Sequence, residues 1–319
     1  MAGPAGPAIL AFQARGVVDC EAAMNRTLTA MVDRRRLLLG AGALYLSGVV
    51  ITENRLSSAA PLSPMTLFSA PLELKGDWGG SPPDAAFRVV ARVREVALSG
   101  VRLLSDQQPD RLWVDDHASG SPAVWLHDDP PTTAWIIVDI GARDWCKLAY
   151  QFGHELGHVL CNSWGKLANP QPPCQWVEEA LVEAFSIRGL ALLAASWEER
   201  PPFSGDAPFA ASIRDYRART IERYQRAPIP DGDLGRWLRE YRSSLPQGVS
   251  EAEGPAILAI LAEFERDPGC VEDLGAVNRW PARTGLPLED YVRAWQASCA
   301  EIGASGHMPL QLKGIFGIP

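Results

Sequence analysis

The segment His154-Glu155-Leu156-Gly157-His158 dictates its own local fold. Its two histidines are four residues apart, and an α-helix turns residues so spaced to one side, with Cβ atoms about 5–6 Å apart, so that both imidazoles can reach one ion. Each helical residue advances about 100°, which sets His154 and His158 opposite an apolar stripe of Trp145, Ala149, Phe152, Leu156 and Leu160. One face packs and the other is free to bind. Glu155 falls to the side, where its carboxylate can reach a water on the ion without displacing it. The pattern therefore predicts a helix over about 144–163, held by neighbours on its apolar face.

A second helix supplies the remaining chemistry. Trp176-Val177-Glu178-Glu179-Ala180-Leu181-Val182-Glu183 opens a segment that is apolar nearly all round through Leu193, as a buried helix is. Carboxylates in apolar surroundings are costly unless they are paired or bound to a cation, so this cluster asks for positive charge. Taken alone, Glu178 reads as an exposed first-turn acid favoured by the helix dipole. Glu179 and Glu183 stand i and i+4, so one can bind an ion while the other orients a bound histidine.

The rest of the chain sets the fold class. Helical patterns recur at about 176–196, 211–226, 232–244, 253–267, 271–279 and 287–302, separated by Pro- or Gly-bearing breaks. Before residue 144 the pattern is different. Arg111–Asp115, Ala123–Leu126 and Trp135–Ile140 are short, apolar and bounded by turn formers, which predicts a small sheet. Pro83–Leu98 fits a helix through Phe87, Val90 and Val93 better than a strand. The expectation is an α+β chain with a small mixed β-sheet followed by a mainly helical half: one domain over 61–319, with the sheet in about 61–143 and the helices in about 144–319. With 47% hydrophobic residues it can fill a sizeable core, and its formal charge of −8, without a long block of either sign, argues against a nucleic-acid partner.

Residues 1–60 read differently again. Arg34-Arg35-Arg36 precedes the uncharged run Leu37–Ile51, and Ser57-Ser58-Ala59-Ala60 supplies small residues where a signal peptidase can cut. Arg34 to Leu38 resembles a twin-arginine export signal. The run is shorter than the roughly 20 residues that cross a bilayer comfortably, so a cleaved signal is expected. Uncleaved, residues 37–51 would be the only membrane attachment; the 30 residues ahead place the start of translation at Met24 or Met31.

The pair of motifs resembles the gluzincin metallopeptidases, in which two histidines and a downstream glutamate hold zinc. The resemblance covers about residues 133–197, with an echo of the helical end of peptidase-MA-like proteins at Thr284–Tyr291 and Trp295. It implies a zincin-like fold, one Zn2+ per chain on His154, His158 and Glu179, Glu155 as general base, and Glu183 behind a histidine. It further implies a peptidase, exported by the N-terminal signal, that acts on peptide or protein substrates, with Trp135, Ile136, Ile137, Val138, Asp139 and Ile140 as the strand along which a peptide adds. Glu178 stands where many relatives have Asn, and no residue matches the Tyr or His that steadies the oxyanion; Tyr216, Tyr224, Tyr241, Tyr291 and His307 are candidates. Cys161 and Trp164 stand where the metzincin extension has Gly and His.

Five cysteines follow the signal. Cys161 and Cys174 flank the connection between the two ligand helices, which suggests a disulfide; the rival is Cys161 as a ligand that closes the site. Two other functions fit the sequence: an inactive zinc-binding relative that uses its eleven tryptophans as a cell-envelope binding surface, and a zinc hydrolase of non-peptide substrates.

Overall fold

The computed structural model describes residues 66–78, 80–117, 121–245 and 248–319. The expected export signal and start sites lie outside them. A short helix α1 (Thr66–Ser69) leads into β1 (Leu72–Gly76), a strand for which no apolar segment had been singled out. Helix α2 (Pro83–Leu98) then crosses to β2 (Arg111–Asp116), followed by β3 (Ala123–Val124) and β4 (Thr133–Val138). Helix is the right reading of 83–98, but its inner face differs from expectation. Ala86, Val89, Val90, Val93 and Val96 are buried, whereas Phe87 is exposed.

The sheet order is β1-β2-β4-β3, with β1, β2 and β4 parallel and β3 antiparallel to β4. Parallel strands need long crossovers, and α2 provides the one between β1 and β2. This order places most of the expected substrate strand Trp135–Ile140 in β4, between two neighbours. β4 is an interior strand: Trp113 and Val114 pair with Trp135 and Ile136 on one side, and Val124 and Ala123 pair with Ile136 and Ile137 on the other. The amide of Trp125 also donates to the Trp135 carbonyl at 2.8 Å. Beyond Val138 the Asp139 amide donates to Gln151 Oε1 and the Ile140 amide to Asp116 Oδ1. β3 therefore occupies the outer side of β4 at Ile136 and Ile137.

The helical half comprises α3 (Trp145–Leu160), α4 (Gln175–Glu199), α5 (Phe209–Gln225), α6 (Leu234–Tyr241), α7 (Gly254–Arg266), α8 (Gly269–Glu272), which runs on as a 3-10 turn to Ala276, α9 (Leu288–Ile302) and α10 (His307–Phe316). Their positions follow the periodicity, except for α10, which was not anticipated. Helix α4 touches α2, α3, α5 and α7, which explains why it is apolar on every side. It is long and apolar enough to cross a membrane, but most of that stretch is buried inside the protein. Of the eleven tryptophans Trp125 is exposed, Trp113, Trp135, Trp164 and Trp280 are half-buried, and the other six lie in the core.

Candidate metal centre

The centre lies where α3 crosses α4. Asp144 caps α3 by accepting the Lys147 amide through Oδ1, and every residue from Trp145 to Leu160 is buried, including the face expected to be free. The close crossing depends on glycine. A Cβ at Gly153 would lie 3.1 Å from Ser186 Oγ, and one at Gly157 would lie 2.8 Å from Val182 Cβ, closer than carbon atoms pack. Two missing side chains, one helical turn apart, let α4 bring its glutamates against the histidines that follow each glycine.

Among the described residues one group of side chains is arranged to hold a metal ion: His154, His158 and Glu179, whose ligand atoms lie within 4.8 Å of one another. Both Nε2 atoms are 3.5 Å from Glu179 Oε2. That is long for a hydrogen bond. It is close to the roughly 3.3–3.4 Å that separates ligand atoms placed tetrahedrally at bond lengths of about 2.0–2.1 Å. The imidazoles face each other edge to plane at 5.1 Å between ring centres.

Each imidazole is anchored at its other nitrogen. His154 Nδ1 lies 2.9 Å from Glu183 Oε2, and His158 Nδ1 lies 2.7 Å from Glu178 Oε1. A carboxylate only accepts, so each Nδ1 carries a hydrogen and each Nε2 is the atom turned to the common space. Both glutamates are held in turn. Glu183 Oε1 accepts from the hydroxyls of Tyr150 and Tyr224, at 2.7 and 2.9 Å. Glu178 Oε2 accepts from Asn278 Nδ2 at 2.7 Å, and Asn278 also donates to Ser163 Oγ. Arg283 braces the same corner through Asn162 O and Ser163 Oγ.

This environment wants a cation. Burial alone would lower the basicity of both rings. The carboxylates of Glu179 and Glu183 outweigh it and push His154 up to about 10, and Glu179 with Glu178 pushes His158 up to about 9. Protons and metal therefore compete for the same buried site.

The structure brings together His154, His158, Glu179 and Glu183, and it corrects other expectations. Glu178 is not an exposed first-turn acid; it is 2% exposed and supports a histidine. Cys161 and Cys174 are free thiols. Cys174 Sγ donates to the Leu286 carbonyl at 3.2 Å, and Cys161 ends α3 deep in the core. Nor is Cys161 part of the metal-holding group. Burial pushes its thiol well above the usual range, which disfavours the thiolate that a metal needs. Of the oxyanion candidates, Tyr224 donates to Glu183 at the centre, the rings of Tyr216, Tyr241 and Tyr291 pack against Tyr150, Trp237 and Trp280, and His307 pairs with Asp267 on the surface.

Comparison with protein-family models, characterised proteins and solved structures finds no match to this chain. The geometry stands alone. Tyr150 and Asn278 are site residues that sequence reasoning missed. Tyr150 lies one turn before His154 on the same face, so its spacing was a usable signal, whereas Asn278 lies 100 residues from Glu178 with no local pattern to mark it.

Proposed function

We propose that this chain is an exported zinc-dependent peptidase of the gluzincin type, with a zincin-like catalytic domain. The observation that carries the reading is the pair of imidazole Nε2 atoms converging on Glu179 Oε2 while both Nδ1 atoms are held by carboxylates. Two neutral nitrogens and one carboxylate form a donor set suited to zinc, and three protein ligands leave a position for water. When bound, the metal supplies a Lewis acid that acidifies water and polarises a carbonyl. His154, His158 and Glu179 hold it, and Glu183 and Glu178 fix the ring orientations. Glu155, buried beside His154 on α3, takes the proton from the attacking water at its carboxylate and returns it to the departing amine. With β4 enclosed, the sheet edge nearest the centre is β3, and an extended peptide would add there. Export is read from residues 34–60 of the sequence.

The test combines metal content with one substitution. Purified protein is expected to contain one zinc per chain and to cleave unfolded casein in a chelator-sensitive way. Glu155→Gln is expected to keep the zinc and lose about 10²–10⁴-fold in activity. Undiminished hydrolysis by Glu155→Gln removes the assigned base. Zinc without hydrolysis of peptides directs the reading to the binding module or to non-peptide substrates.

A further inference from the structure

The loop that follows α3 and the turn that precedes α9 line a cavity of about 120 Å³. Gln107 and Leu167, both exposed, mark its mouth, and Leu167 joins Trp164 and Ala168 in an apolar wall. Arg283 is the one charged residue that lines it. The backbone there is strained. Ala282 and Arg283 have φ of +64° and +41°, left-handed values that a residue with a Cβ adopts only where its surroundings enforce them. Asn162, also in the lining, has φ of +61°. Strain of this kind, held by neighbours, collects where a side chain has to be aimed.

The aim of Arg283 is fixed at both ends. The Trp280 indole donates to its carbonyl at 3.0 Å, and its Nη2 donates to Asn162 O at 2.7 Å and to Ser163 Oγ at 3.0 Å. Both hydrogens of Nη2 are then used, while Nε and Nη1 donate to no other described residue. No carboxylate pairs with the guanidinium among the described residues. Asp106, next to Gln107, is taken by Arg279; Asp128 is taken by Lys166, next to Leu167; and Glu178 is bonded to His158 and Asn278. The Gln107 side-chain amide, a second donor at the mouth, makes no hydrogen bond to the described residues.

We infer that this cavity binds a carboxylate carried on a short apolar body, with Arg283 donating to the carboxylate and Trp164, Leu167 and Ala168 around the body. One pre-oriented guanidinium matches one negative charge, whereas a phosphate close to two charges would be left half answered. The volume is well below the roughly 300–1,000 Å³ of sites for larger ligands, so the cavity takes an end group and not a cofactor. The site is separate from the metal centre. Arg283 reaches His158 only through Ser163, Asn278 and Glu178, so the inference does not depend on the peptidase reading. A free acid and the carboxyl end of a peptide share the required chemistry.

Ligand-observed NMR titration of the full chain tests this with isovalerate and isovaleramide, which match in shape and differ in charge. A hydrogen bond between charged groups predicts roughly 10–100-fold tighter binding of the acid. Leu167→Glu puts a competing carboxylate at a position that is 87% exposed, and it is expected to weaken the acid about 5–10-fold while leaving the amide unchanged. Arg283→Gln is expected to remove the preference for the acid. Equal affinities of acid and amide in the unaltered protein overturn the inference. An acid affinity that Leu167→Glu does not change also overturns it, because the acid then sits elsewhere, as on a bound metal, and this arm decides even if Arg283→Gln fails to fold. N-acetylglycyl-leucine separates the two sources. Binding tighter than that of isovalerate assigns the peptide end and weaker binding assigns the free acid, and either result supports the shared chemistry.

Discussion

The two metal-facing imidazoles are supported by carboxylates that are themselves supported unequally. Glu183 receives two tyrosine hydroxyls, whereas Glu178 receives one amide from Asn278 across 100 residues of chain. Removing the charge of Glu178 while keeping its shape therefore isolates what the carboxylate contributes. Glu178→Gln is expected to weaken zinc affinity about 10–100-fold, as loss of a ligand's anchoring carboxylate commonly does. Competition with a chromophoric chelator measures it, and unchanged affinity would show that His158 needs no such anchor. At this scale the sequence was legible wherever the partner lay within a helical turn. His154, His158, Glu179 and Glu183 follow from i, i+4 spacing on two helices. Glu178 was misjudged because an acid in a first turn ordinarily faces water; what buries it is the corner of Asn278, Ser163 and Arg283, assembled from distant segments.

Between elements, the decisive quantity is how closely α3 and α4 approach. Gly157 lies inside the motif itself, and its missing side chain is what lets Val182 through. Gly157→Ala is expected to destabilise the fold by about 1–3 kcal/mol through overpacking and to weaken metal binding by parting His158 from Glu179. Gly314 in α10 is the control, because a Cβ there meets nothing within 4 Å; Gly314→Ala is expected to stabilise by about 0.4–1 kcal/mol. Urea unfolding of both variants decides the matter, and equal shifts would remove the crossing argument. Helices were legible here because their periodicity is local. The sheet was only half legible. β2 and β4 are apolar enough to stand out, but strand order is a property of crossovers, so neither the place of β1 nor the enclosure of β4 by β3 had a local signal. The absent Cys161–Cys174 bridge teaches the same point: flanking one connection in sequence does not bring two side chains together, and Cys174 bonds to Leu286 instead.

For the molecule as a whole, stability against pH sums all its titrating groups, and one buried acid away from the metal centre has a predictable share. Asp116 ends β2 at the carboxyl end of the parallel strands, where the Ile140 amide donates to Oδ1 and Oδ2 has no partner. Burial, reinforced by Asp139 and Asp115, pushes its pKa up to about 6. The sign follows from linkage. A carboxyl whose folded pKa lies above its unfolded value binds its proton more tightly in the native state. Ionising it therefore costs stability as pH rises from about 4 through 6, and at neutral pH the native state carries the full penalty. Asp116→Asn keeps an acceptor for the Ile140 amide and cannot ionise. The variant is expected to be more stable than the parent at pH 7 by on the order of 1–2 kcal/mol, allowing for screening by water at the end of the sheet. The difference should close below pH 4, where the parent's Asp116 is protonated in both states. Thermal unfolding of the two proteins from pH 3.5 to 8 reads this as melting curves that converge in acid and separate above pH 6, and a gap that does not change with pH would mean that folding does not raise the pKa of Asp116.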